Sequence, residues 1–235
     1  MSKEIMIDIS KLQAYEGKLD ACSAATGLQA ARLNASDLVG SSQLLFNAKK
    51  YHHSVALSTL AIEECGKIPI ILSIFLELDD SKKIWKKYRH HRSKSNYLNT
   101  AVVAMAQAEF PNLDKKNLNM ISQGPIPLYL DVMKQLAFYT DCISTHEGHM
   151  WHLPRDRDWQ VEAKERLDEA RAMALKLRDY PPTELDIWHK HLAKYNRKNK
   201  EELKTAFKKL KEELLGKGFI GEGWWTPILK AIDEM

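Results

Sequence analysis

The feature that most constrains this chain is a long apolar stretch between Ser54 and Leu78. A helix that is apolar around most of its circumference is stable only when other elements surround it. We therefore predict that this stretch forms the buried central helix of a bundle. Proline lacks a backbone donor and clashes with the preceding helical turn, so we expect the helix to kink or end at Pro69.

The rest of the chain is also typical of helices. Apolar and small residues recur at three- and four-residue spacing between positions 9 and 46, where Asn34-Ala35-Ser36 is a candidate break. Further helices are predicted over 97–109, 128–144, 158–179, 183–195 and 200–215. Glycine and proline together number only 18, and no period-two pattern indicates a strand. The predicted fold class is all-α, with a helical bundle over 1–180 and a basic helical C-terminal extension over 181–235.

Composition narrows the class of protein further. The 35 lysines and arginines exceed the 31 acidic residues by too little to indicate a nucleic-acid partner, so the local distribution of charge matters more. Three widely spaced cysteines in helix-like sequence predict free thiols in a reducing compartment. The first residues lack the apolar core of a signal peptide, and the apolar run over 68–78 is too short to cross a bilayer. We expect a cytoplasmic protein with no membrane partner.

An acidic pair interrupts the apolar helix, in the sequence Glu-Glu-Cys-Gly-Lys from Glu63 to Lys67. Helical spacing places Glu64 between Leu60 and Ile68 on an apolar face, and Glu63 on a different side. A carboxylate on an apolar face needs a cation or several donors. We therefore expect Glu64 to be largely buried and paired with a cation. The candidate partners are Lys67, His91, Arg92 and Lys94.

A glycine within this element strengthens the signal. Glycine in a helix interior costs about 1 kcal/mol relative to alanine, so we expect a neighbour to pack closely against Gly66. The alternative is that the element is a structural ion pair inside the bundle, with no chemistry of its own.

A basic segment follows over residues 81–95, with seven lysines and arginines, two histidines and no acidic residue. Cations interleaved with Trp85 and Tyr88 suit an RNA backbone with unstacked bases. We predict a basic helix over 82–94 that binds RNA. The residues predicted to bind it are Lys86, Lys87, Arg89 and Arg92. The alternative is a basic helix that simply faces solvent.

Taken in order, these elements resemble the AbiV family of bacterial abortive-infection proteins, within the HEPN superfamily of small helical bundles. The resemblance covers about residues 30–180. Its motifs are Asn34-Ala35, Glu63 to Lys67, His91 to Lys94, Tyr139-Thr140-Asp141 and Trp151 to Pro154. It implies a defence effector that stays silent until a phage-encoded activator protein is present and then arrests host translation. It also implies a homodimer and a partner in RNA or the translation machinery.

Many HEPN proteins are metal-independent ribonucleases that carry an arginine four to six residues before a histidine. No arginine of this chain has a histidine at that spacing. A substitute set of four residues is our candidate. It consists of Glu64, Lys67, His91 and Lys94. Histidine titrates near neutral pH, so His91 would be the acid and base, the two lysines would stabilise charge on the scissile phosphate, and Glu64 would orient the histidine.

Four residues are assigned supporting roles by the same resemblance. They are Glu63, Gly66, Tyr139 and Asp141. No cofactor is implied. Because a helix reversal after Asp80 makes consecutive helices antiparallel, we predict that His91 or Lys94 lies within reach of Glu64 or Lys67. The alternative function is a non-catalytic binding protein that senses a phage protein and blocks translation by surface binding.

Two further patterns carry weaker signals. His146, His149 and His152 recur at three-residue spacing, as zinc or copper ligands can, but Gly148 and Pro154 favour a loop, and we predict no metal site. The glycines at 216, 218 and 221 match a nucleotide-binding spacing, but a charged helix precedes them, which favours a helix C-cap and an aromatic-anchored loop.

Overall fold

The computed structural model describes residues 13–90, 126–193 and 200–221. The helices in these ranges are α1 (Ala21–Asn47), α2 (Tyr51–Phe75), α3 (Ser81–Arg89), α4 (Ile126–Phe138), α5 (Gln160–Leu175), α6 (Pro182–Leu192) and α7 (Lys200–Gly216). Two short strands, β1 (Asp141–Thr145) and β2 (Gly148–His152), lie between α4 and α5. The prediction of a helical bundle is confirmed, with one small hairpin added to it.

The helix predicted to be central is α2. Sixteen of its 25 residues are buried, and it packs against α1, α3, α4 and α5. The helix continues through Pro69, so the proline does not end it. The Ser73 hydroxyl donates to the Pro69 carbonyl at 2.7 Å, one turn further on.

Small side chains let α1 and α2 pack closely together. Ala35 of α1 is fully buried in one cluster with Ala61 of α2. Nearer the end of α1, the buried Ser42 hydroxyl lies 2.8 Å from that of Ser54 and 2.7 Å from that of Ser58. The predicted break at residues 34–36 is therefore wrong: α1 is one helix of 27 residues, and the small side chains there serve helix packing.

The last two described helices share the core of the bundle. Leu185 and Trp188 of α6 and Leu210 of α7 belong to one buried cluster with Leu28 of α1 and Ile71 of α2. The boundary at residue 180 stays a prediction, but the described helices beyond it are packed onto the bundle.

The glycine-rich segment after α7 begins with a turn at Gly218, whose φ is 74°. Phe219, directly after that turn, packs against the core cluster that α6 and α7 share with α1 and α2. The expected helix C-cap with an aromatic anchor is thus confirmed for this segment.

The hairpin corrects the predicted helix over 128–144. The helix ends at Phe138, and β1 pairs antiparallel with β2 so that Asp141 is opposite His152. Nearly every hairpin side chain is exposed, including Trp151 at 68%. With no buried face, the sequence shows no apolar alternation, which is why the strands were missed. Gly148 supplies the positive φ of 125° that the turn requires.

Within the described ranges, no helix combines the length and the apolar character that crossing a membrane requires.

Candidate functional site

The acidic pair of α2 directs its two carboxylates to different neighbours. Glu63 is buried and accepts a hydrogen bond from the Lys134 ammonium group of α4 at 2.6 Å. Both side chains of this ion pair are nearly inaccessible, at 5% for Glu63 and 6% for Lys134. Lys134 also lies 3.4 Å from the Asp131 carboxylate, one turn earlier on α4. The helices α2 and α4 are therefore linked by a buried ion pair.

Glu64 faces α3, on a different side of α2. Its carboxylate lies 2.6 Å from the Lys67 ammonium group, with side-chain exposures of 14% and 18%. The same ammonium group lies 5.3 Å from the centroid of the Tyr88 ring of α3, within the range of a cation–π contact. The Glu64–Lys67 pair thus lies at the α2–α3 interface, partly open to solvent.

The expected pairing of Glu64 with Lys67 is present and Glu64 is largely buried, but the Glu63 carboxylate is buried more deeply. The α2 helix is enclosed on most sides, so both glutamates leave bulk water, and the one nearest α4 is the more deeply buried. The partner of Glu63 was missed by sequence reasoning. One signal was available: Lys134 is the sole lysine or arginine between Lys116 and Arg155, and a lone cation in an apolar helix indicates a buried partner.

Two residues, Cys65 and Gly66, lie between Glu64 and Lys67 in this turn of α2. Gly66 is buried, and the close neighbour predicted for it stays a prediction. Cys65 is also buried, and burial together with the nearby Glu64 carboxylate raises the pKa of its thiol to about 12. The thiol is therefore protonated at neutral pH and is not a nucleophile.

The basic helix α3 begins as predicted, after a reversal of the chain. The Asp80 side chain caps it by accepting from the Lys83 amide at 3.2 Å. Ile84 packs on Ile70 and Ile74 of α2. The helix runs antiparallel to α2, since Ile84 lies near Ile74 and Tyr88 near Lys67.

The aromatic residues of α3 serve its packing. The Trp85 indole donates to the Gly17 carbonyl at 2.8 Å, and its ring meets Tyr15 edge-on, with centroids 5.8 Å apart. Arg89 pairs with Glu16 at 3.2 Å and lies over the Trp85 ring. Trp85 is thus held in place by contacts within the protein, and the stacking of bases on Trp85 and Tyr88 stays a prediction.

The lysines of α3 keep a positive surface. Lys82, Lys83 and Lys86 are exposed, and Lys87 is partly exposed. The electrostatic part of the predicted RNA surface is thus available to solvent, whereas Trp85 and Tyr88 are only partly exposed.

Three predicted site residues lie outside the described residues: His91, Arg92 and Lys94. The basic helix ends at Arg89, not at 94, and His90 is already extended, with φ at −92° and ψ at 122°. The antiparallel packing of α3 on α2 is therefore described only as far as Arg89. The approach of His91 and Lys94 to Glu64 stays a prediction.

The supporting residue Tyr139 follows α4 directly, and Asp141 is the first residue of β1. Tyr139 is 58% exposed and its ring contacts Phe138. The Asp141 side chain accepts from the Cys142 amide at 2.7 Å. The structure does not bring either residue to the Glu64–Lys67 pair.

The histidines of the hairpin do not converge. His149 and His152 are three residues apart on β2 and so point to opposite faces. The His152 imidazole is hydrogen-bonded to the Leu136 carbonyl at 2.9 Å. Among the residues that the structure describes, no group of three acidic, histidine or cysteine side chains can hold a metal ion.

A second buried carboxylate lies between α5 and α6, and sequence reasoning missed it. Glu184 is completely buried and accepts two hydrogen bonds from the Arg178 guanidinium, at 2.7 and 2.5 Å. The Trp188 indole donates to the same carboxylate at 3.0 Å. The guanidinium lies over the Tyr180 ring at 4.1 Å. Because the carboxylate finds its donors within the cluster, the cluster has the character of a structural element.

The functional geometry is thus a partly exposed acid–lysine pair on a buried helix, beside a basic helix. A sequence model of the AbiV family of HEPN proteins matches residues 23–175, more than half of the chain. This chain belongs to the AbiV family. The match runs from the first turn of α1 to the last residue of α5, so it includes both ion pairs of α2 and excludes α6 and α7.

Membership of the AbiV family assigns the protein to abortive-infection defence. The resemblance predicted from the sequence motifs is therefore confirmed. Comparisons with curated proteins and with solved structures gave no match.

Proposed function

We propose that this AbiV-family protein arrests host translation during phage infection by acting on RNA, with Glu64 and Lys67 of α2 in its active site. The observation that carries the proposal is the Glu64–Lys67 ion pair, which is polar, partly open and set beside a basic helix. His91 and Lys94 complete the proposed site.

The chemistry requires a group that moves protons and groups that stabilise charge. His91 is the proposed acid and base, and Lys67 and Lys94 stabilise the negative charge that develops on the phosphate. Glu64 holds the Lys67 ammonium group at 2.6 Å. The contact between Lys67 and Tyr88 supports the grouping, because His91 follows Tyr88 by only three residues.

The exposed lysines of α3 are the proposed RNA surface. Lys86 is exposed beside Lys82 and Lys83, so these ammonium groups can neutralise phosphates without rearrangement. Arg89 is already paired with Glu16, so we assign it a smaller share. Arg92 belongs to the same proposed surface. A phage-encoded activator and a second copy of the chain are the further proposed partners.

Glu64→Gln and His91→Ala are expected to abolish phage defence in cells while the proteins stay folded. Loss of a general acid and base lowers a rate by about 10²–10⁴-fold, and a neutral amide in place of the Glu64 carboxylate no longer forms an ion pair with Lys67. Plaque counts and cleavage of labelled tRNA and rRNA, with and without phage lysate, are the measurements. Glu77→Gln is the matched control, since Glu77 forms an exposed ion pair with Lys18. Full defence by folded Glu64→Gln protein would contradict the assignment.

The double variant Lys86→Glu and Lys87→Glu is expected to weaken RNA binding and flatten its dependence on salt. Each phosphate that the protein no longer neutralises lowers the log–log slope for single-stranded RNA by about 0.7, because fewer counterions are released. Titration of labelled RNA at several salt concentrations measures both quantities. Lys208→Glu with Lys209→Glu, two exposed positions on α7, is the control with the same change of charge. Unchanged affinity and slope would remove α3 from the RNA surface.

One observation favours the alternative of a non-catalytic binding protein. The hairpin exposes Trp151 at 68% and Met150 at 51%, and tryptophan and methionine are enriched at protein-binding surfaces. In that case His91→Ala would be tolerated, whereas Trp151→Ser would abolish defence.

A further inference from the structure

A cavity of about 290 Å³ lies beside the start of α2, away from the Glu64–Lys67 pair. Its lining residues are His52, His53, Thr140, Leu153, Pro154 and Arg155. Three segments supply them: the first turn of α2, the link between α4 and β1, and the chain that follows β2. His53 precedes Glu64 by eleven residues, which is about 16 Å along a helix. The cavity is therefore a separate place in the bundle.

Two imidazoles meet at the wall of this cavity. The ring centroids of His52 and His53 are 4.1 Å apart, with the rings tilted by 44°. Burial lowers the pKa of His52, and the neighbouring His53 and Lys50 lower it further. Without a counter-charge, the protein therefore disfavours protonation of His52. An anion in the cavity would remove that penalty.

Arg155 adds a permanent cation to the wall of the cavity. Its side chain is 78% exposed, and the carboxylate of Asp156, with which it pairs, lies 3.7 Å away and is 64% exposed. An ion pair this long and this exposed is weak, so the guanidinium is available to a ligand. Its planar fork of donors matches the oxygens of a phosphate.

We propose that this cavity binds a phosphate group, held by the Arg155 guanidinium and the His52 and His53 imidazoles, with the Thr140 hydroxyl as a further donor. A phosphate carries several oxygens around one centre, which suits donors that arrive from three segments. Leu153 and Pro154 form the apolar part of the wall, where the sugar or base attached to the phosphate packs.

The phosphate can belong to an RNA chain or to a free nucleotide. Only the RNA source rests on the proposed function, because phosphate binding follows from the cavity alone. We expect RNA to be the source, since the apolar wall continues the site beyond a single phosphate.

Histidine-labelled protein tests the proposal by NMR. Inorganic phosphate, added at constant ionic strength, is expected to shift the His52 and His53 ring resonances saturably and to leave that of His149 unchanged. Arg155→Gln and His53→Gln should each weaken phosphate binding at least about tenfold, since glutamine is neutral and cannot reproduce the charge and the donor geometry of the side chain it replaces. Both positions are exposed, so the variants are expected to fold, and thermal unfolding checks that they do. His149→Gln is the control and should bind as the natural protein does.

Uridine monophosphate and a uridine hexanucleotide identify the source. Tighter binding of the hexanucleotide supports RNA, whereas equal binding of the two supports a free nucleotide. Absence of a saturable shift with all three probes, or natural affinity in folded Arg155→Gln protein, would overturn the proposal. If RNA binding is absent but the phosphate shifts persist, the cavity stands and the proposed function fails. If the α3 lysines bind RNA but the histidine resonances do not shift, the proposed function stands and the cavity proposal fails.

Discussion

Lys134→Met is expected to lower the free energy of unfolding by about 3–5 kcal/mol, because it removes the cation that is paired with the buried Glu63 carboxylate. Methionine fills a similar volume, so little of the loss comes from a cavity. The burial of both partners, with exposures of 5% and 6%, makes the cost this large. Urea denaturation measures it, as a lower midpoint with an unchanged slope.

Two further variants separate the charge effect from other causes. Glu63→Gln combined with Lys134→Met removes both charges and is expected to recover much of the lost stability. Lys164→Met is the matched control, since Lys164 pairs with Asp168 on the surface of α5, and we expect its stability to stay near that of the natural protein. A Lys134→Met protein as stable as the natural one would show that the pair contributes nothing.

Arg178→Met is the second substitution with a large expected effect. It removes the guanidinium from Glu184, which is completely buried, and leaves the Trp188 indole as a donor to that carboxylate. Loss of one partner of a buried pair costs about 3–5 kcal/mol. Because the pair spans the connection between α5 and α6, we also expect α6 to lose its fixed position. Hydrogen exchange of the α6 amides, together with urea denaturation, measures both effects.

Arg32→Met is the control for this prediction. Arg32 pairs with Asp179 at 2.9 Å, but that carboxylate is 62% exposed and can return to water. The expected cost is about 1 kcal/mol or less. Adding Glu184→Gln to Arg178→Met removes the stranded charge and keeps an acceptor for Trp188, so it should restore part of the stability. Equal losses for Arg32→Met and Arg178→Met would refute the importance of burial.

The structural features that could be predicted best from the sequence are those that a local pattern determines. The burial of α2 follows from its apolar circumference, and the Glu64–Lys67 pair follows from three-residue spacing on a helix. The hairpin could not be predicted in this way, because a strand pair exposed on both faces carries no alternation. The Asn34–Ser36 break failed because small residues suit close helix packing as well as a turn.

The candidate site shows the same limit. Glu63 and Lys134 are 71 residues apart, so no helical spacing relates them, and only the packing of α4 against α2 brings them together. A helical wheel separates Glu63 from Glu64 by direction. It does not show which side of α2 is more deeply buried by its neighbours. For the same reason the role of Trp85 on α3 depends on the segment around Gly17, which the basic sequence of α3 does not reveal.

The adjacency of Glu63 and Glu64 restricts how the surroundings of the Glu64–Lys67 pair can move. Neighbouring residues of a helix differ by about 100° around its axis, so a rotation of α2 that opens Glu64 to solvent would pull Glu63 away from Lys134. That rotation would separate two buried charges, so we do not expect α2 to rotate. The easier movement is that of α3, a helix of nine residues with Ile84 as its buried residue. We therefore expect α2 to stay fixed at the centre of the bundle, and any change in access to the Glu64–Lys67 pair to come from a movement of α3 along it.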